Sequence, residues 1–365
     1  MKILIVRYIR NPDNYFFDLF DATSAGTLRA AGHQATVVER ILAAGFDEGE
    51  VLEGLYQFAS EFAPQLIFLS YVPTRSLPLT LAQRTGAVIA AAGSSLLLEE
   101  TGIDYVLSEP DPLALLQLVE MVEGKRPKSR VAALAWRAAG TTHRSKIPLH
   151  SIFEIFTRSP IDYGAFYRLG PGKPVELRKH VAGDWGCPYR HAAPATPNSA
   201  KTPSFVPAGG CTFCTRPAWT PLDWDLKGPV VGQQMDRVLA AFPEPAKLIV
   251  IDEYGLAHAD DIAALVRARP LQGSEILLSG RLDHVKRYRP QLEDALGRLR
   301  ESNTIRLYQF GIENLSDTVL QRYNKGLQFA DIEAALQLMD ELERLHANLA
   351  VERSFGFILF DPWTT

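Results

Sequence analysis

The sequence predicts an α/β protein built as two successive units, each a parallel sheet covered by helices. Three observations carry that expectation. Short, mostly apolar runs such as KILIV (Lys2–Val6), QLIFLS (Gln65–Ser70), KLIVI (Lys247–Ile251) and EILLS (Glu275–Ser279) alternate with segments of helical spacing. Strands apolar on both faces belong to a sheet with helices on either side, which makes it parallel. The alternation pauses between residues 127 and 172, where Pro and Gly punctuate the chain. All three cysteines fall in one stretch, Gly183–Cys214, inside the second series.

Residues 1–126 read as a doubly wound domain. Its strands are Lys2–Val6, Ala35–Val38, Gln65–Ser70, Ala87–Ala91 and Tyr105–Leu107. A helix over Phe16–Ala31 ends at Gly32 as a C-cap, and a second, Glu48–Phe62, sets Val51, Leu55 and Phe58 on one face. A third opens with Asp111 as N-cap and Pro112 in its first turn, and closes at Gly124 and Pro127. Ligands of such sheets sit at the carboxyl ends of the strands. Those ends are Arg7-Tyr8, Ser70–Thr74, Gly93–Ser95 and Ser108–Pro110.

Residues 127–172 read as a linker with short strands at Val131–Trp136 and Ser151–Phe156. The second unit, 173–365, begins with a strand at Val175–His180, and the cysteine loop follows at once. Helices are expected at Val230–Ala241, Asp260–Arg269, Val285–Arg300 and Asp331–Leu345. Strands are expected at Lys247–Ile251, Glu275–Ser279, Ile305–Phe310 and Phe355–Phe360.

Composition narrows the function. Charged residues are 22% of the chain and the net charge is −4, so the clustered positive excess of a nucleic-acid footprint is missing. No apolar stretch approaches the ~20 residues of a membrane span, and the start, MKILIVRYIRNPDN, does not read as a signal peptide. An odd number of cysteines in one region fits a reducing, cytoplasmic compartment, where such a cluster is metal-binding or catalytic. Cys187, Cys211 and Cys214 can hold a metal centre and leave one position open. With His191 they could instead form a closed Cys3His zinc site.

Five motifs, in order, carry a family resemblance. They are the run from Val88 to Pro127, the loop fragments GCPYR and CTFC, IVIDEYG, YQFGIENLSDTVLQRYNKG, and FGFILFDPWTT. Together they resemble the radical S-adenosylmethionine (SAM) enzymes that carry a cobalamin-binding domain. The resemblance implies a Rossmann-like cobalamin domain followed by a partial (β/α) barrel with FGFILF as its fifth strand, the cobalamin capping the barrel mouth. It implies a 4Fe-4S cluster on Cys187, Cys211 and Cys214, with SAM chelating the open iron. Phe213 would lie near the adenine, Asp252 and Glu253 at the SAM amino group, Arg281 at its carboxylate, and Glu313 at the barrel mouth. Ser70, Tyr71, Val72, Gly93, Ser94, Ser95 and Glu109 would carry the corrin's lower face and tail. Plainer roles stand beside these: Asp252 as a cap for the next helix, Arg281 in a surface salt bridge, Glu313 satisfying backbone donors, and a first domain that binds nothing.

The family's activity would be methyl transfer to an unactivated centre of a small molecule or peptide, with a flavodoxin or ferredoxin as electron donor. The alternatives are a non-methylating ring formation or rearrangement, and a zinc-stabilised scaffold. The sequence departs from the family pattern in four places. His191 stands where the middle cysteine of C-x-x-x-C-x-x-C belongs, so the spacing becomes C-x23-C-x2-C. A D-x-H-x-x-G signature is replaced by ERILAAGFD, which removes a histidine ligand to cobalt. The chain stops before a sixth barrel strand, which reads as truncation, completion by another chain or a barrel left open, and no C-terminal extension follows to close over a substrate.

Overall fold

The computed structural model describes residues 1–9, 19–41, 48–70, 72, 76–99, 102–109, 111–169, 178–183, 189, 211, 222–241 and 247–358. The chain divides into two compact units, 1–178 and 179–365.

In the first unit, β1 (Lys2–Ile9), α1 (Leu19–Ala30), β2 (Gln34–Ile41), α2 (Glu48–Phe62), β3 (Leu66–Leu69), α3 (Ser76–Thr85), β4 (Val88–Ala92), β5 (Tyr105–Leu107) and α4 (Pro112–Val122) alternate as strand and helix. The strand order β5-β4-β3-β1-β2 is doubly wound, and its parallel pairs include β1 with both β2 and β3. Winding reverses between β1 and β3, because the chain goes to one side of β1 for β2 and to the other for β3. Two apolar layers flank the sheet, one holding Ile3, Ile5 and Phe68, the other Leu4, Val6 and Ile67. Alternate residues of β1 and β3 thus feed opposite layers, as strand geometry requires. Capping follows the sequence: Asp111 Oδ1 accepts from the Leu113 and Ala114 amides, and Gly32 at φ +85° ends α1.

The segment 127–172 is not a linker. It supplies β6 (Leu134–Ala138), β7 (Thr141–Arg144), α5 (Ile152–Arg158) and β8 (Phe166–Leu169) to the first unit. β6 runs antiparallel to β5, β7 pairs back on β6, and β8 extends the other edge parallel to β2. The β6–β7 hairpin turns through Ala139 and Gly140, at φ 48° and 79°, the double left-handed geometry of a type I′ turn. Ser151–Phe156, expected as a strand, is the start of α5. The Ser151 hydroxyl caps the Glu154 amide, and Ser-x-x-Glu is a helix-opening pattern.

The second unit contains β9 (Arg178–Ala182), α6 (Trp224–Ala241), β10 (Lys247–Ile251), α7 (Ala259–Arg267), β11 (Glu275–Leu278), α8 (Leu282–Arg287), α9 (Arg289–Arg298), β12 (Thr304–Leu307), β13 (Gly311–Glu313), α10 (Asp317–Arg322), α11 (Phe329–Leu345), β14 (Leu349–Val351) and β15 (Gly356–Phe357). Its main sheet has the order β14-β12-β11-β10-β9, so each crossover advances one strand in the same direction. That winding, with helices in every crossover, is the order of a partial (β/α) barrel. Two expectations are corrected. The helix expected over Val285–Arg300 breaks at Tyr288, because Pro290 cannot continue the hydrogen-bond ladder and starts α9 instead. The fifth parallel strand is Leu349–Val351; among the described residues of the expected strand Phe355–Phe360, Gly356–Phe357 form β15, which pairs with β13 in a separate ribbon. Among the described residues, no helix is long and apolar enough to cross a membrane.

Candidate functional site

At the winding reversal of the first unit, the carboxyl ends of β1 and β3 carry a buried polar knot. Ser70 Oγ donates to Asp21 Oδ1 at 2.7 Å. Arg7 lies 3.9 Å from Asp21 and 3.4 Å from Glu39, and all three charged groups are buried. Burying such a group is costly unless it is paired, so this knot fixes α1 to the ends of β1, β2 and β3. One strand over, Gly93 follows β4 at φ +134°, a conformation L side chains rarely adopt. Ser94 Oγ accepts from the Leu96 amide, and Ser95 Oγ accepts from Arg144, which the β6–β7 hairpin delivers. Glu109 is exposed beyond β5, and Val72 is half-buried. The expected residues Ser70, Gly93, Ser94, Ser95 and Glu109 therefore share the carboxyl ends of three neighbouring strands. Tyr71 lies outside the described residues. The described residues of this shelf offer hydroxyls, which can bond amides or phosphate, and a glycine that permits close backbone approach.

In the second unit, Cys211 is the cysteine that the described residues include; Cys187, Cys214 and Phe213 lie outside them. Arg281, which follows β11, reaches this sulfur: its Nη1 is 3.9 Å from Cys211 Sγ. The same guanidinium donates from Nε to Asp283 at 2.9 Å and from Nη2 to the Lys325 carbonyl at 2.8 Å. Its face lies on the Tyr189 ring, 4.0 Å from the centroid. Lys325 in turn sends Nζ to Glu313 Oε1 at 3.1 Å. Cys211, Tyr189, Arg281, Lys325 and Glu313 thus form one connected cluster beyond the ends of β11 and β13. Tyr189 and Lys325 were not picked out from the sequence. Their signals were present, in the Tyr two residues after Cys187 and the Lys of YNKG.

Two glycines make room for this cluster. A Cβ on Gly311 would collide with the Glu313 carboxylate, which folds back over the strand while Glu313 itself sits at φ 70°. A Cβ on Gly326, at φ +69°, would collide with the Tyr189 hydroxyl. Gly326→Val therefore adds a left-handed strain and a clash at once. We expect it to cost about 1–3 kcal/mol in urea unfolding and to unseat Tyr189 from Arg281.

Asp252 does not present a free carboxylate to an incoming ammonium. Its Oδ2 is 2.6 Å from Lys227 Nζ, both side chains are 1% exposed, and its Oδ1 accepts from the Tyr254 amide at 2.8 Å. It anchors α6 to the end of β10 and caps the following turn, the plainer of its two expected roles. Gly183 sits against it, since a Cβ there would come within 2.6 Å of Asp252 Oδ2. The entry to the cysteine loop is thereby packed onto this ion pair. Glu253 is half-buried beside it. A cavity of about 500 Å³ lies between α10 and the start of α11 and shares Gly326 with the cluster. Its carboxylates already serve as caps, Asp317 for the Phe329 amide and Asp331 for that of Gln328.

No family model matches the sequence, and no curated protein does. Solved structures do match. OxsB, a cobalamin-dependent SAM radical enzyme determined with aqua-cobalamin and SAM, aligns over 100% of this chain with a TM-score of 0.68 at 15% identity. The chain has the fold of the cobalamin-dependent radical SAM enzymes. TsrM from Kitasatospora setae, a radical SAM methyltransferase determined with cobalamin and a 4Fe-4S cluster, aligns over 93% of this chain at a TM-score of 0.59 and 15% identity. The chain spans 50% of the OxsB chain and 65% of the TsrM chain.

Proposed function

We propose that this chain is a cobalamin-dependent radical SAM enzyme, and that its reaction is methyl transfer to an unactivated centre. The observation that carries the reading is the fold shared with OxsB along the whole chain, with Cys211 held against Arg281 beyond the strand ends of the second unit. Cys187, Cys211 and Cys214 would supply three thiolates to a 4Fe-4S cluster, leaving one iron for SAM. When bound, the cluster supplies the electron that cleaves SAM, and cobalamin supplies the methyl group. The protein's own residues bind, orient and exclude water. Asp252 and Lys227 seat the entry of the cysteine loop, Arg281, stacked on Tyr189, reaches Cys211, and Glu313 with Lys325 present a paired charge beside them. Ser70, Val72, Gly93, Ser94, Ser95 and Glu109 would cradle the corrin. A small molecule or peptide would be the substrate, a flavodoxin or ferredoxin the electron donor, and the cytoplasm the compartment.

The test is anaerobic reconstitution followed by iron, sulfide, zinc and cobalamin assays on wild type and Cys211→Ser. Wild type is expected to take up about four irons and four sulfides per chain together with cobalamin, and Cys211→Ser to lose the iron but keep the cobalamin. One zinc with no iron overturns the reading in favour of a scaffold. A cluster with no cobalamin turns it to a non-methylating reaction.

A further inference from the structure

We propose that Arg281 is a positioning residue for the cluster, donating a charged N–H to the Cys211 sulfur, and is not a ligand for the SAM carboxylate. The inference rests on the cluster reading above and adds a role that the motifs alone assign elsewhere. Geometry supports it from four sides. Asp283 takes Nε, the Lys325 carbonyl takes Nη2, Tyr189 covers the ring face, and Nη1 is left aimed at Cys211 Sγ at 3.9 Å. Hydrogen bonds to sulfur run longer than those to oxygen because the sulfur atom is larger. The side chain is 8% exposed, so its charge is little screened by water.

A fixed positive charge beside a cluster thiolate favours the reduced, more negative cluster. Hydrogen bonds to the sulfurs and local charge are the levers a protein has on such potentials. Arg281 thereby raises the midpoint towards the reach of an ordinary electron donor. Its planar fork is needed, because a lysine ammonium could not hold Asp283, the Lys325 carbonyl and the sulfur together while lying flat on Tyr189.

The experiment compares reconstituted wild type, Arg281→Met, Arg281→Lys and Tyr189→Leu, reading the reduction midpoint of the SAM-free cluster by EPR and SAM affinity separately. Arg281→Met is expected to disfavour reduction at least tenfold, a shift of about 59 mV to lower potential for a one-electron couple. Arg281→Lys and Tyr189→Leu, which loosen the geometry while keeping a charge, should shift it in the same direction by less. An unchanged midpoint with weakened SAM binding in Arg281→Met assigns the guanidinium to the SAM carboxylate and overturns the proposal. If Arg281→Met does not fold, an unshifted midpoint in both other variants overturns it equally. Wild type without iron overturns the cluster reading and this proposal together, an outcome distinct from a full cluster with an unshifted midpoint.

Discussion

Replacing Lys227 with Met destabilises the second unit by about 3–5 kcal/mol, the cost of leaving a buried carboxylate without its counter-charge. Asp252 and Lys227 meet at 2.6 Å with 1% of either side chain exposed. Water cannot take over when one partner is lost. Asp252→Leu should be costly for the mirror reason. The double variant Lys227→Met with Asp252→Leu should recover most of the loss, since well-packed apolar groups can replace a buried ion pair at little net cost. Urea unfolding of the four proteins gives the coupling directly. Additive losses in the double variant contradict the pairing. The same pair sits against Gly183, so we expect Lys227→Met to weaken metal retention in the cysteine loop as well.

Acid destabilises the second unit through His284. This imidazole is buried in the first turn of α8, edge-on to the rings of Tyr254 and Tyr288, which hydrogen-bond each other through their hydroxyls. Its Nδ1 has no hydrogen-bond partner among the described residues. Burial pushes its pKa from the usual 6.5 down to about 4; Asp283 opposes that shift, while Arg281 and Arg287 add to it. Between those two values the unfolded chain binds a proton that the folded one refuses. Its contribution is therefore full above pH 6.5, falls as the pH drops through the window, and is flat below about 4. The whole step is about 3 kcal/mol. His284→Leu removes this slope: unfolding measured across the window should show a shallower acid dependence than wild type. Equal slopes would remove His284 as the cause.

How much was legible in the sequence follows from where the information lies. The centres of β1, β3, β10 and β11 (Ile3–Val6, Leu66–Leu69, Leu248–Val250 and Ile276–Leu278) are continuous apolar runs, and their burial on both faces is written in their composition. The Asp111 cap is local chemistry and was readable as such. The β6–β7 hairpin was not, because Ala139-Gly140 lacks the Asn or Asp that usually announces a type I′ turn. β8 was missed because a parallel edge strand is defined by its distant partner, β2, and not by its own pattern. In the candidate site, Cys211 and Glu313 stood in recognisable motifs, and Arg281 stood at the end of an expected strand. Lys227, Tyr189 and Lys325 did not stand out, since each acquires its role only when folding brings it to a partner from another element. Arg281 illustrates the limit: its position at a strand end was readable, but the sulfur it addresses was not.

The proposed chemistry requires three thiolates that hold a cluster with one iron open to SAM. Low-temperature EPR of the reconstituted, reduced protein, recorded before and after adding SAM, tests it most directly. The expected result is a reduced 4Fe-4S signal whose g values move when SAM is added. A cluster signal that SAM leaves unchanged, as a permanent fourth ligand such as His191 would produce, contradicts it.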